Sequence, residues 1–428
     1  MRISRRARAA AVAGAVGLVV ASLLPGSAGQ AATPATVLVS ARNASDPSVF
    51  RCGPDLCMFA SSDLPGGGYT GNPYPMNATY LYRLPAGRDP GQPSNWIDHG
   101  AVLTESDYSW VPAGANHLWA PTMSPGRNGS DFGYYLYVPD VRDKSADGVH
   151  KTSQIGVSYS SSPTGPYRYL KRITYQGQDL TGYMSDPAVF NLLPGLPASG
   201  GRPAVPPISS WLLWANGDYE TCGGFSIAQL DPYDMTSLIT APQEIQINGL
   251  PSGMNSCTRR LPEGVAPGTP GYSGTVNHAY MEGADLYDFG MQGIFPHGDR
   301  VVLLFAIKPN SPPSGCSSDH EAIAYATAND PRGPYTYRNI VMCGSDTEWT
   351  NQASLYAYTV PNSQGLNAIF FYHDASNTNG SAPQDRKVSA ECITITNNGI
   401  PRINRSATFS SCMPSRTGWG TEAMLRWW

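Results

Sequence analysis

The chain has 428 residues, among them 45 glycines and 38 prolines, so about a fifth of its positions interrupt regular helix. Charged residues make up 14 %, aromatics 10 % and apolar residues 41 %, which argues against a disordered chain or a coiled coil and for a large, turn-rich, all-β protein. The formal net charge of −4 offers no basic surface for nucleic acid.

The N-terminus carries Arg2, Arg5, Arg6 and Arg8, then an uncharged run from about Ala9 to Leu24, then Pro25 and small residues through Ala32. This is the pattern of a signal peptide over residues 1–32, with cleavage expected between Ala28 and Ala32. No stop-transfer sequence follows, so a secreted, extracellular protein with no membrane anchor is expected, exported by the Sec or the twin-arginine route. Without its first 32 residues the chain keeps 24 basic against 32 acidic residues, net −8.

All eight cysteines follow that segment, and an even number in an exported chain argues for disulfides. Nearest-neighbour closure gives Cys52–Cys57, Cys222–Cys257, Cys316–Cys343 and Cys392–Cys412, each clipping a local loop or hairpin. No CxxC pair or His/Cys cluster suggests zinc.

Five segments share one pattern, a polar or aromatic residue followed by a small residue or proline and then an apolar strand. They are Ser45-Asp46-Pro47, Leu118-Trp119-Ala120-Pro121, Ser185-Asp186-Pro187, Met281-Glu282-Gly283 and Asn351-Gln352-Ala353. Each precedes a second apolar strand, such as Tyr134–Val138 or Val301–Phe305, and in most cases a third. Two of the later turns are near copies, Ser162-Pro163-Thr164-Gly165-Pro166-Tyr167 and Asp330-Pro331-Arg332-Gly333-Pro334-Tyr335. Five repeats of three or four strands predict a five-bladed β-propeller, a single domain over residues 33–428. The surplus length is assigned to loops at 61–79, 87–117, 139–152, 191–209 and 240–280.

Equivalent positions of successive blades converge on a propeller's axis, so 46, 119, 186, 282 and 352 are expected to ring one pocket. Asp46, Asp186 and Glu282 there would repel one another, and at least one carboxyl must hold its proton more tightly than usual. A protonated and an ionised carboxyl side by side are what hydrolysis of a glycosidic bond requires, and Trp119 offers a face for a sugar ring. His117 and His278 are further pocket candidates, although a lone histidine is more often structural. The pair Arg259 and Arg260 reads as surface charge or a substrate contact.

The ordered set of Ser45-Asp46-Pro47, Leu118-Trp119-Ala120-Pro121, Ser185-Asp186-Pro187-Ala188-Val189-Phe190, Met281-Glu282-Gly283 and Phe371-Tyr372-His373 with Arg386 resembles glycoside hydrolase family 43. The resemblance implies a five-bladed propeller and an inverting hydrolase that releases arabinofuranosyl or xylosyl units from plant cell-wall polysaccharide. It also implies Asp46 as general base, Asp186 as the group that raises the acid's pKa and orients it, Glu282 as general acid and Arg386 as a substrate-binding residue. Trp119, His117 and Gln352 are assigned to substrate binding. Gln352 stands where the family commonly places a histidine near an axial cation or water; one amide carbonyl hardly makes a calcium site, a water cluster suits it equally, and no cofactor is required. A monomer acting on a carbohydrate substrate is expected. The alternatives are another five-bladed glycosidase of fructan, galactan or anhydrogalactose type, and a non-catalytic glycan-binding propeller; the asymmetry of the ring favours one active site.

Overall fold

The computed structural model describes residues 36–37, 42–64, 75–128, 131–141, 153–192 except 181, 209–216, 224–250, 256–260, 275–289 except 280, 299–308, 316, 321–344, 350–358, 366–374 and 386–403 except 397. The expected signal peptide, Cys222 and Cys412 lie outside these residues, as does the side chain of Cys257.

Five antiparallel units of four strands follow one another along the chain. Blade I comprises Ser45–Cys52, Asp55–Asp63, Met76–Leu84 and Ile97–Thr104, and blade II comprises Thr122–Asn128, Asp131–Val141, Ser153–Ser160 and Arg168–Arg172. Blade III comprises Ser185–Leu192, Ser209–Ala215, Phe225–Gln229 and Gln243–Glu244, and blade IV comprises Met281–Asp288, Val301–Ile307, Ala322–Ala328 and Tyr335–Cys343. Blade V takes Thr350–Tyr358, Leu366–Asp374 and Lys387–Ile395 from the end of the chain and its outermost strand, Thr36–Val37, from the beginning. The protein is thus the expected five-bladed β-propeller.

The second strands show why their sequences are apolar throughout rather than alternating. Along Val301–Ile307 the side chains of Val301, Leu303, Phe305 and Ile307 pack with Leu213 and Phe225 of blade III. Val302 and Leu304 point the other way, onto Leu355, Phe370 and Tyr372 of blade V. A strand sandwiched between two blades buries both faces, so its period-2 geometry carries no polar face. Burying a side chain such as Leu304 contributes roughly 1.5–3 kcal/mol. Equivalent apolar seams join blades I and II through Phe59 and Leu136, II and III through Tyr137 and Trp214, and V and I through Phe371 and Met58. The fifth seam closes the ring.

Two of the stretches assigned to loops contain strands. Residues 87–117 include the outermost strand of blade I, Ile97–Thr104, whose side chains are largely exposed because no further strand covers that edge. Exposure removes the apolar alternation by which a strand is read from sequence. Residues 240–280 hold Gln243–Glu244, Ile247–Asn248, which lies parallel to the outer strand of blade IV, and a hairpin of Ser256–Arg260 with Thr275–Ala279 that carries Arg259, Arg260 and His278. The two near-copy turns are alike in three dimensions: each has a cis Gly-Pro bond, and Tyr167 and Tyr335 donate their hydroxyls to the carbonyls of Pro163 and Pro331 at 3.0 and 2.8 Å.

Disulfides join Cys52 to Cys57 and Cys316 to Cys343, and Cys392 is also disulfide-bonded. Among the described residues no helix is long and apolar enough to cross a membrane.

Candidate active site

The innermost strands begin with an irregularity that places the site. In blades I, III, IV and V the register with the second strand shifts after the first one or two paired residues, between Ser45 and Ser48, Ser185 and Ala188, Glu282 and Asp285, and Asn351 and Ala353. One residue of each innermost segment has a left-handed backbone: Asp46 at φ 54°, Ala120 at 39°, Asp186 at 47°, Gly283 at 59° and Gln352 at 43°. The recurrent position therefore carries Asp, Ala, Asp, Gly and Gln. Trp119 and Glu282, expected at it, each stand one residue earlier. Apart from Gly283 these residues bear a Cβ, and left-handed backbone costs such a residue roughly 1–2 kcal/mol. Strain of this kind concentrates at functional sites.

The amide at this turn lies against a side chain of the preceding blade in three cases, and in two of them it donates a hydrogen bond to it. Asp46 N lies 3.2 Å from Nδ1 of His373 in blade V, Ala120 donates to Ser61 Oγ of blade I at 2.8 Å, and Gly283 donates to Asp186 Oδ2 of blade III at 3.1 Å. Strand starts, not only apolar seams, thus bind one blade to the next.

Asp46 is buried, 4 % exposed, and densely surrounded. Its Oδ1 lies 3.0 Å from His373 Nδ1 and 3.5 Å from Arg386 Nη1, and its Oδ2 accepts from Ser45 Oγ at 3.2 Å. His373 Nδ1 cannot both accept the Asp46 amide and donate to the carboxylate; with the proton on Nδ1, as a neutral imidazole allows, it donates to Oδ1. Burial pushes the Asp46 carboxyl up, but the Arg386 charge and His373 outweigh it and hold it at about 2. Asp46 is consequently a carboxylate at any ordinary pH.

Asp186, also buried, goes the other way. Burial first, and the charge of Asp46 second, push its carboxyl up to about 7, with a smaller contribution from Glu321 of blade IV. The amide of Gly283 and the charge of Arg386 oppose the rise without reversing it. A carboxylate and a carboxyl that holds its proton more tightly than usual thus lie within electrostatic reach of one another, an asymmetry that acid–base chemistry uses.

The other expected residues take several places. Glu282 is half-buried at the start of blade IV, next to the glycine that Asp186 holds. Arg386 joins Asp46 directly. Trp119 and Gln352 are half-buried at the strand starts of blades II and V. His117 pairs its backbone with Met76, whose sulfur lies 3.9 Å from both Ser45 Oγ and Arg386 Nη2, and its Nδ1 is 4.0 Å from the buried Asp140. The side chain of His278 lies outside the described residues. Asp63 and Glu321 also belong to the cluster: Asp63 ends a second strand within Ala-Ser-Ser-Asp, a position where the repeats tend to place Asp or Lys but to which the sequence alone assigns no role, and Glu321 only flanks a strand. Among the described residues no group of three or more His, Cys, Asp or Glu side chains is arranged to hold a metal ion.

A propeller with opposed carboxyls at the starts of its innermost strands has the form of a glycoside-cleaving enzyme. Residues 92–401 match the sequence model of the glycosyl hydrolases family 43, and the chain belongs to that family. The match begins after Asp46. Comparison with curated protein sequences returns no significant match. Among solved structures, the chain is similar to the β-xylosidase/α-arabinofuranosidase CoXyl43 from a compost microbial metagenome, in complex with xylotriose, with TM-score 0.56, 21 % identity, and coverage of 88 % of this chain and 99 % of that one. It is similar to the GH43_1 enzyme of Xanthomonas citri complexed with xylose at TM-score 0.54 and 20 % identity, covering 89 % and 95 %. It is also similar to the arabinoxylan arabinofuranohydrolase of Bacillus subtilis in complex with cellotetraose, at TM-score 0.52 and 15 % identity, covering 87 % and 67 %.

Proposed function

We propose that this family 43 glycoside hydrolase is a secreted, monomeric, inverting enzyme that releases α-L-arabinofuranosyl or β-D-xylosyl units from plant cell-wall polysaccharides or their oligosaccharides. The observation that carries the reading is the meeting, at the innermost strand starts, of Asp46, held ionised by Arg386 and His373, with Asp186, whose carboxyl accepts the amide that follows Glu282. In this reading Asp46 takes a proton from the attacking water as general base. Glu282 gives a proton to the departing glycosidic oxygen as general acid. Asp186 orients Glu282 through the Gly283 amide and, in its ionised form, favours the protonated acid by its charge. Water attacks from the face opposite the leaving group, so the anomeric centre inverts. Trp119 stacks on the sugar, while Arg386, His117 and Gln352 meet its hydroxyls. Similarity to enzymes named for xylosides and arabinofuranosides supports the pentose class.

Nitrophenyl α-L-arabinofuranoside, β-D-xyloside and galactoside, followed by arabinan, arabinoxylan and galactan, test the substrate class. Proton NMR of the first product tests the stereochemistry: retention at the anomeric carbon would exclude the inverting mechanism. Turnover only on fructans or galactans would exclude the pentose assignment.

A further inference from the structure

We propose that Asp63 is a positioning residue that holds the Arg386 guanidinium against Asp46, an inference that rests on the reading of Asp46 as general base. Asp63 is the last residue of blade I's second strand and is 1 % exposed. Its Oδ2 accepts from Arg386 Nε at 3.0 Å and from the Arg386 backbone N at 3.2 Å, and its Oδ1 accepts from Nη2 at 2.8 Å. One carboxylate thus takes the whole Nε/Nη2 edge of the guanidinium together with the amide of the same residue. Because the guanidinium is planar, fixing that edge also fixes the direction of Nη1, and Nη1 is the nitrogen 3.5 Å from Asp46 Oδ1.

The rest of the local structure serves the same placement. Ala44 donates its amide to the Arg386 carbonyl at 2.9 Å, pinning residue 386 two positions before Asp46. A register shift between Ser61 and Asp63 sets Asp63 opposite Met76, whose sulfur lies 3.9 Å from Arg386 Nη2. Without Asp63 the buried arginine would lose the ion pair that occupies its Nε/Nη2 edge. The groups that face the Asp46 carboxyl are Ser45 from its own strand, His373 and Arg386 from blade V, and Asp186 from blade III, with Glu321 of blade IV acting on Asp186. The Arg386 charge is the largest single influence that favours the ionised form. Loss of its alignment therefore removes a leading support of the ionised base.

The test is Asp63→Asn in the full protein, assayed on the aryl pentoside that the wild type cleaves. The substitution keeps the shape but turns an NH2 group toward the donors of Arg386, which displaces the guanidinium. Asp46 then takes up a proton within the ordinary carboxylate range. The loss in kcat/KM is expected to be at least about threefold greater near pH 3.5 than near pH 6.5. An equal loss at both pH values, or no loss, overturns the proposal, because a merely structural role lowers the amount of folded enzyme without moving the acid limb. If Asp63→Asn does not fold, Asp63→Glu takes its place, displacing the carboxylate by one methylene, and the same two outcomes decide. Asp46→Asn is measured in parallel. Full activity in that variant removes Asp46 as the base and this inference with it. An inactive Asp46→Asn beside a pH-independent loss in the Asp63 variant overturns only the role of Asp63.

Discussion

Gly283 donates its backbone N–H to Asp186 Oδ2 over 3.1 Å, so a carboxyl in blade III fixes the strand start of blade IV immediately after Glu282. The two acids assigned to the proton-donating side of the reaction are thereby held in one hydrogen-bonded unit across a blade seam.

Removal of either reacting carboxylate is expected to be severe. Asp46→Asn and Glu282→Gln should each lower kcat by about two to four orders of magnitude, the usual contribution of a positioned acid or base. Both should retain the wild-type circular dichroism spectrum. Turnover within a few-fold of wild type in either variant would remove that residue from the mechanism.

The pH response follows from the opposite shifts of the two aspartates. The Asp186 carboxyl, raised from 3.8 to about 7, stabilises the fold through its proton; this contribution is complete below about 3.8 and is lost as pH rises through about 7. The Asp46 carboxyl, lowered from 3.8 to about 2, has the opposite sign: its contribution is present above about 3.8 and is lost as pH falls through about 2. The thermal midpoint of the wild type should therefore fall between about pH 4 and pH 7, and Asp186→Asn should flatten that decline. A decline of equal size in the variant would assign the titration to another group.

Ser61 tests the bonds between blades. Its hydroxyl accepts the Ala120 amide at 2.8 Å in a buried position, and Ser61→Ala leaves that donor without this acceptor. A loss of about 1–3 kcal/mol in denaturant unfolding is expected. A change below about 0.5 kcal/mol would show that the amide finds another acceptor.

The disulfides should differ in weight. Cys316–Cys343 closes a loop with a sequence separation of 27, against 5 for Cys52–Cys57. By loop entropy the larger loop stabilises by roughly 3.5 kcal/mol and the smaller by about 2 kcal/mol. Paired Cys→Ser variants compared by urea unfolding should preserve that order. The reverse order would show that native-state contacts, not loop closure, set their contribution.

Much of this architecture was legible in the sequence because the second strands are buried on both faces. Runs such as Val301–Ile307 stand out at each repeat, and Asp46, Asp186 and Gln352 lie at the left-handed position they were expected to share. The single-residue offset at Trp119 and Glu282 was hidden, since a backbone dihedral leaves no direct trace in residue type when Ala120 occupies one of the five positions. The outer strand Ile97–Thr104 was hidden for the opposite reason, an exposed edge with no apolar pattern to display. Asp63 escaped because its role comes from two strand ends in blades I and V meeting, a relation between residues more than three hundred positions apart.

The strand Thr36–Val37 completes blade V by pairing with Ala390 and Ser389. The earliest-made strand therefore waits for the last blade, and blade V cannot acquire its fourth strand until nearly all of the chain has been synthesised. The propeller behaves as a belt whose buckle is cut from its leading end: blades I to IV can each pack on a neighbour as the chain grows, whereas fastening the ring is a late, long-range event.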